Sequence, residues 1–266
     1  MAVVVPCYRY GRFLADAVDS LRTQQGGPPR IVVVDDGSPD SETLDALDRL
    51  DSVDDVEVVR QENAGVCAAR NRGLALADRP FVMCLDADDR LASGALRALR
   101  APLEARRDIG FAYGHQRFFG ALEGEMRFPP YDPLRLLDRH LIGPTALVRR
   151  EVMEDTGGYD PAFTHYEDWE LWVDALAHGW VGVRVDAVTH EYRRHAGGKL
   201  DADRKGYRAF RRQLAAKHFD LYARRSELAR RSDLGPVGRA TYRWFWGPRP
   251  LPTAVESVVT RVLWAA

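Results

Sequence analysis

Two groups of aspartates follow directly after short apolar segments. The segment 81–85 ends in Asp86-Ala87-Asp88-Asp89, and the segment 31–34 ends in Asp35-Asp36. Short apolar runs rich in β-branched residues predict buried parallel strands, and open α/β sheets bind ligands where the carboxyl ends of such strands meet. The sequence therefore predicts an acidic site at one edge of an α/β sheet.

The Asp86-Ala87-Asp88 triplet has the chemistry of a cation site. Two carboxylates separated by one residue can converge on a hard divalent cation, Mg²⁺ or Mn²⁺, and leave coordination positions for phosphate oxygens. Asp88 and Asp89 also precede a predicted helix, where acidic residues act as N-terminal caps. The spacing alone leaves both interpretations open.

The second acidic group is Asp35-Asp36-Gly37-Ser38. A carboxylate at a strand end can accept hydrogen bonds from a nucleobase or a ribose. The same residues are also typical of an Asx turn that leads into a helix. Two acidic groups on separate strand ends favour a ligand site more strongly than either group does alone.

Strand and helix patterns alternate from the start of the chain. Apolar runs predict strands at 2–5, 31–34, 56–59 and 81–85. Apolar residues at helical spacing predict helices around 13–21, 44–50, 66–77 and 91–103. Repeated βα units of this kind form a mainly parallel sheet covered on both faces, so the predicted fold class is α/β.

The pattern changes after a predicted strand at 109–113. Aromatic residues, glycines and prolines from 114 to 133 favour an extended loop or a hairpin over another βα unit. Further strands are predicted at 145–148, 181–185 and 188–193, together with a helix that buries Trp169 and Trp172. The chain beyond about residue 200 is arginine-rich and predicted to be helical.

Composition excludes several classes of function. The chain has 266 residues, 45% of them hydrophobic, and a formal net charge of -1, which argues against a nucleic-acid partner. No lysine precedes Lys199, so Schiff-base and P-loop chemistry are absent from the first part of the chain. Cys7, Cys67 and Cys84 have neither metal-site nor disulfide spacing, which fits a reducing compartment.

The sequence predicts a soluble, cytoplasmic protein. No apolar stretch reaches the ~18 residues that a membrane span requires, and the N-terminus has no signal-peptide pattern. The last segment carries Trp244, Phe245, Trp246 and Trp264 among arginines. This composition suits peripheral contact with the inner face of a membrane, or packing onto the rest of the chain or a partner subunit.

Six motifs occur in an order that is typical of one enzyme family. They are Val3-Val4-Val5-Pro6-Cys7-Tyr8, Val34-Asp35-Asp36-Gly37-Ser38, Asn63-Ala64-Gly65 with Ala69-Arg70-Asn71, Leu85-Asp86-Ala87-Asp88-Asp89, Gly157-Gly158-Tyr159-Asp160, and Glu167-Asp168-Trp169-Glu170-Leu171-Trp172. With these motifs the chain resembles the inverting family-two nucleotide-diphospho-sugar glycosyltransferases of the GT-A fold. The resemblance implies a catalytic domain over 1–200, with a nucleotide-sugar half (1–113) and an acceptor half (114–200), and a helical extension over 201–266.

The resemblance also implies roles in donor binding. Pro6, Tyr8 and Asp36 would line the uracil pocket, where Asp36 would accept a hydrogen bond from the base. Arg70 and Asp86 would hold the nucleotide. From the residues alone, Tyr8 is equally consistent with a buried core aromatic and Arg70 with an ordinary cation on a helix face.

The remaining implied roles concern the metal and the transfer step. Asp88 would bind Mn²⁺ or Mg²⁺ on the diphosphate, and His195 would complete the metal site or contact phosphates. Asp168 would be the general base that inversion requires, while Glu167 and Trp169 would contact the acceptor. The alternative is that Glu167 and Asp168 only stabilise the helix dipole, and that Trp169 packs in the core.

The sequence therefore predicts metal-dependent, inverting transfer of a sugar from a nucleotide-diphosphate sugar, with UDP as the expected nucleotide, to a saccharide or lipid-linked acceptor in cell-surface polysaccharide or glycoconjugate synthesis. A non-catalytic sugar-nucleotide or glycan-binding subunit with the same fold is the alternative. A haloacid-dehalogenase-like phosphatase would need Asp-x-Asp-x-Thr near the first strand and a core lysine. A dinucleotide oxidoreductase would need Gly-x-Gly-x-x-Gly, which the first strand lacks.

Overall fold

The computed structural model describes residues 1–195 and 207–235. The strands are β1 Ala2–Cys7, β2 Arg30–Asp35, β3 Val56–Arg60, β4 Phe81–Cys84, β5 Arg90–Leu91, β6 Ile109–Gly120, β7 Gly124–Met126, β8 Leu147–Arg149 and β9 Val181–Arg194. The helices are α1 Gly11–Arg22, α2 Ser41–Asp51, α3 Val66–Leu76, α4 Ala95–Ala105, α5 Pro133–Leu136, α6 Arg150–Thr156, α7 Glu167–Ala177, α8 Tyr207–Lys217, α9 Phe219–Ala223 and α10 Arg225–Arg231.

All described strands belong to one sheet, in the order β3-β2-β1-β4-β8-β6-β9-β5, with β7 paired to β6. Strands β3, β2, β1 and β4 are parallel to one another. Strand β8 is antiparallel to both of its neighbours, and β6 is parallel to β9. The predicted α/β fold is confirmed; its first half is parallel and its second half is mixed.

Alternate side chains of β1 pack into two separate cores, because successive residues of a strand point to opposite faces of the sheet. Val3 and Val5 pack with α1, α2 and α4, whereas Val4 packs with α3, α7 and β8. Helix α3 lies directly on β1 at Gly73, where an added Cβ would come within 2.3 Å of Val4 Cγ1. This close contact brings the start of α3 near the carboxyl ends of β1 and β2.

Three elements differ from the prediction. Strand β6 continues to Gly120, so the predicted division at residue 113 falls inside a strand, and β6 forms a hairpin with β7. Strand β9 is one element rather than two, because it follows β6 in parallel along its whole length across several register irregularities. Helix α4 begins at Ala95 rather than 91, since Arg90–Leu91 pairs with β9 as β5.

Helices α8 to α10 pack against α7. Phe210 and Leu214 of α8 are buried in the same core as the α7 tryptophans. The predicted helical character beyond residue 200 is confirmed for 207–231. The aromatic segment with Trp244, Phe245, Trp246 and Trp264 lies outside the described residues. No helix in the described part of the chain is both long and apolar enough to cross a membrane.

A fully buried aspartate joins these helices to the segment between α5 and β8. The Asp138 side chain is 0% exposed and accepts hydrogen bonds from Arg211 Nη2 at 2.8 Å and Arg225 Nη1 at 3.0 Å. The hydroxyl of Tyr222 donates to the backbone oxygen of Leu137, the residue before Asp138, at 2.7 Å. The C-terminal helices therefore fix the position of this segment.

We expect Asp138→Ala to lower the free energy of unfolding by about 3 kcal/mol, since removing one partner leaves the others as partly buried, uncompensated charges. Urea unfolding followed by circular dichroism measures the change. Asp108→Ala is the control, because it breaks the ion pair between Asp108 and Arg106, in which both side chains are exposed; we expect no measurable effect there. Equal losses in both variants would contradict a special role for Asp138.

Candidate active site

The carboxyl end of β1 leads into an exposed aromatic residue. Tyr8 is 39% exposed and has the Arg9 guanidinium 5.4 Å from its ring centroid. Arg9 has a φ of +62°, and its backbone N–H donates to Ser38 Oγ at 3.0 Å. Tyr8 is therefore not a core aromatic, and the strained turn presents its ring at the edge predicted to bind the donor base.

At the end of β2, the two aspartates have different local roles. Asp35 accepts from the backbone N–H of Ser38, three residues on, at 3.1 Å, and so closes the turn after β2. Asp36 accepts from Gln61 Nε2 and Ala64 N–H, both at 2.8 Å, and from Gly65 N–H at 2.9 Å. It thereby fixes the loop before α3. Since a carboxylate has about four acceptor positions, capacity remains for a ligand.

The aspartates after β4 do not cap a helix. The N-cap residue of α4 is Gly94, which has no side chain, so the capping interpretation of Asp88 and Asp89 is wrong. Asp89 instead lies 2.7 Å from His190 Nε2, and both side chains are buried. Asp88 Oδ2 lies 2.9 Å from His195 Nε2, which brings together the two residues predicted to bind metal.

The charge around Asp88 fits a divalent cation. Burial, followed by repulsion from Asp89 and Asp86, raises the pKa of Asp88 to about 6. Such a concentration of carboxylates is relieved by a bound cation, and oxygen with one imidazole nitrogen is a donor set that Mn²⁺ accepts. Within residues 1–195 and 207–235, no group of three or more metal-binding side chains occurs.

Arg70 connects the strand end to helix α7. Its side chain is 4% exposed, and it donates to Asp86 Oδ1 at 2.8 Å and to Glu167 Oε1 at 2.9 Å. Arg70 is therefore a buried, bridging cation rather than a solvated residue on a helix face. Through this bridge, the acidic residues after β4 and the first turn of α7 form one site.

Asp168, the predicted base, pairs with a histidine that the sequence did not single out. Asp168 Oδ2 lies 2.8 Å from His140 Nε2, and its other oxygen accepts from the Trp169 backbone N–H at 2.8 Å. Burial alone would raise the pKa of Asp168, but His140 and Arg70 outweigh burial and lower it. Asp168 is therefore a carboxylate at neutral pH, which its predicted role as a base requires.

The two residues predicted to contact the acceptor are enclosed instead. Trp169 is 0% exposed, and its Nε1 donates to the backbone oxygen of Leu136 at 2.6 Å. No face of the ring is left for a sugar, so the predicted acceptor contact by Trp169 is replaced by core packing. Glu167 is likewise buried by its ion pair with Arg70. Asp168 is enclosed to a similar degree, with 9% of its side chain exposed against 7% for Glu167, so exposure alone does not distinguish the two acids.

Backbone strain marks both sides of the site. Among the described residues, the non-glycine residues with positive φ are Arg9 and Tyr166, at +62° and +55°. Arg9 follows β1 and Tyr166 immediately precedes Glu167 at the start of α7. Such conformations cost about 1–3 kcal/mol and cluster where function requires them. A cavity of about 310 Å³ between the starts of β6 and β9 and the C-terminal helices lies at the opposite edge of the sheet.

Known proteins share this sequence pattern and this fold. The glycosyltransferase GlyA of Streptococcus pneumoniae is 28% identical over 246 residues, which cover 92% of this chain and 32% of GlyA. The teichoic acid poly(glycerol phosphate) polymerase of Staphylococcus epidermidis is 29% identical over 98 residues, covering 36% of this chain and 14% of that protein. The chain thus spans a third or less of these relatives.

The solved structures support the fold assignment. The structure of S. aureus TarS 1-349 in complex with UDP-GlcNAc superposes with a TM-score of 0.66 and 17% identity, covering 90% of this chain and 68% of that one. This match shows the GT-A fold. The profile of Glycosyl transferase family 2 matches residues 2–157, more than half of the sequence. The chain therefore belongs to glycosyl transferase family 2.

Proposed function

We propose that this chain catalyses inverting transfer of a sugar from a UDP-sugar to a saccharide or lipid-linked acceptor in cell-surface polysaccharide or glycoconjugate synthesis. The observation that carries the proposal is the Arg70 bridge, since it joins the acidic end of β4 to the turn that holds Asp168. Family membership supports glycosyl transfer. TarS, which has the same fold, binds UDP-GlcNAc, and one relative is a teichoic acid polymerase.

In this proposal the donor lies along the carboxyl ends of β1, β2 and β4. Tyr8 offers an exposed ring on which the uracil can stack, whereas Pro6 is buried within β1. Asp36 accepts a hydrogen bond from the base, while its existing bonds hold the loop before α3 in place. Arg70 and Asp86 position the nucleotide. The Asp86 side chain remains about one third exposed despite its bond to Arg70.

The transfer step follows from the position and charge of Asp168. The carboxylate removes the proton of the acceptor hydroxyl as the hydroxyl oxygen forms a bond to the anomeric carbon. The bond between that carbon and the diphosphate oxygen breaks, and its electron pair leaves with the UDP. Because attack comes from the face opposite the leaving group, the configuration at the anomeric carbon inverts. The lowered pKa of Asp168 keeps the carboxylate ionised for this step.

Asp88 and His195 are the residues that would hold Mn²⁺ or Mg²⁺ in this proposal. A bound divalent cation would stabilise the negative charge that develops on the departing diphosphate. Asp89 does not bind the cation, because His190 and the backbone N–H of Arg193 occupy its carboxylate. Its role is to fix the loop between β4 and β5, which carries Asp88.

The hairpin of β6 and β7 is the proposed acceptor surface, since Glu167 and Trp169 are enclosed. Leu122 at its turn is 53% exposed, and Met126 at the end of β7 is also exposed. Exposed apolar residues of this kind suit the face of a sugar ring or a lipid-linked chain. If the chain were instead a non-catalytic binding subunit, it would bind UDP-sugars without releasing UDP.

We expect Asp168→Asn to reduce turnover by roughly 10²–10⁴-fold, as for the loss of a general base. Turnover is measured as UDP release from UDP-glucose, UDP-galactose and UDP-N-acetylglucosamine with Mn²⁺, with water as the acceptor. UDP affinity should change little, because the donor contacts lie on other elements. Asp174→Asn on the same helix is the control and should keep normal turnover.

The comparison with Glu167→Gln tests which acid is the base. Near-normal turnover in Asp168→Asn together with complete loss in Glu167→Gln would assign the base to Glu167. Normal turnover in both variants would leave the mechanism without a base on α7. UDP-sugar binding by the unmodified protein with no UDP release would favour the non-catalytic alternative.

We expect Asp88→Ala to remove the increase in UDP affinity that Mn²⁺ produces in the unmodified protein. The Mn²⁺-dependent gain in UDP affinity should fall by at least ~10–100-fold, because even residues that only hydrogen-bond to a metal ligand contribute this much to metal affinity. Isothermal calorimetry with and without Mn²⁺ measures it, and the melting temperature should change little because a site carboxylate does not support the core. An undiminished Mn²⁺ effect in Asp88→Ala would exclude Asp88 as a ligand.

A further inference from the structure

We propose that His140 is a positioning residue that holds Asp168 in the orientation needed for proton transfer. This inference rests on the proposed function of Asp168 as the base. His140 Nε2 and Asp168 Oδ2 are 2.8 Å apart, and the Trp169 backbone N–H holds the other carboxylate oxygen at 2.8 Å. The two bonds together fix the rotation of the carboxylate and leave acceptor capacity for a hydroxyl proton.

The ring of His140 is itself fixed by packing against aromatic residues. It stacks on Trp169 with centroids 6.0 Å apart and an interplanar angle of 12°. The Tyr166 ring meets it edge-on at 5.7 Å and 87°. Partial burial would lower the pKa of His140, but the carboxylate of Asp168 outweighs burial and raises it. A raised pKa favours the protonated ring, in which Nε2 donates to Asp168.

Helix α7 also holds the backbone on both sides of His140. The indole N–H of Trp169 donates to the Leu136 carbonyl at 2.6 Å, and that of Trp172 donates to the Ile142 carbonyl at 3.0 Å. The helix that carries Asp168 therefore anchors the segment that carries its partner. This arrangement matches the requirement that a reactive group be held by residues whose own positions are locked.

The exposure of His140 argues against a purely structural pair. Its side chain is 33% exposed and lies at the surface of the site. A second histidine–carboxylate pair on the same helix provides the contrast: His218 Nε2 lies 2.9 Å from Glu170 Oε1, and both side chains are buried. His218 joins α7 to the C-terminal helices, whereas His140 contacts the proposed base.

The first test compares three variants by UDP release from the UDP-sugar panel with Mn²⁺. His140→Ala should lower kcat by roughly 10–100-fold, the scale expected from misplacing a reacting group by about 1 Å, with an unchanged KM for the donor. His140→Gln should recover most of the loss, because its amide N–H can donate to Asp168. His218→Gln should keep a normal kcat. If Gln at position 140 is no better than Ala, or kcat is unchanged in His140→Ala, the proposal is wrong.

The second test separates this proposal from the proposed function. If His140 acts through Asp168, adding His140→Ala to Asp168→Asn should cause no further loss in the residual turnover, measured with radiolabelled donor. A further 10–100-fold loss would show that His140 acts independently and would overturn the proposal. Normal turnover in Asp168→Asn alone would instead overturn the assignment of the base. Circular dichroism melting of His140→Gln checks that the fold is retained.

Discussion

The site depends on one buried cation with two anionic partners. Removing an arginine and a carboxylate from water is costly, and the attraction between them compensates only when geometry and hydrogen bonding are good. Arg70 meets this requirement with two separate carboxylates, Asp86 and Glu167, at 2.8 and 2.9 Å. Asp86 follows strand β4, and Glu167 begins helix α7. The pairing of Arg70 with both carboxylates therefore also fixes the distance between the proposed donor site and the proposed base, Asp168.

Buried carboxylates are also paired with basic residues around α7 and the C-terminal helices. Buried carboxylates recur there, and each has a partner from another element: Asp138 with Arg211 and Arg225, and Glu170 with His218. These pairs connect the C-terminal helices to α7 and to the segment before β8. The helical extension is therefore held onto α7 and the segment before β8, and none of its residues is proposed to touch substrate or to position the base.

The sequence predicted most of the elements and the strand ends that carry the acidic residues, because alternation of βα units depends on local periodicity. It also predicted that Asp88 and His195 lie together, since the family resemblance assigns both of them to the metal site. It missed the partnership of Asp168 with His140, which lies in a segment without a motif. For Trp169 it left core packing and acceptor contact as alternatives. Periodicity favours burial of a tryptophan on α7, but only the packing of His140, Tyr207 and Phe210 around the ring shows that it is enclosed.

Strand β6 has a consequence for how this domain can vary. Strand β6 begins in the predicted nucleotide-sugar half and ends in the hairpin with β7 that is proposed to bind the acceptor. Strand β9 pairs with it along its full length. The two halves therefore share a strand and are not separable modules. A chimera that takes its acceptor half from a relative and is joined at residue 113 would interrupt the continuous pairing of β6 with β9. The turn between β6 and β7 can change in length without disturbing that pairing. If the hairpin binds the acceptor as proposed, changes in acceptor preference are expected at that turn.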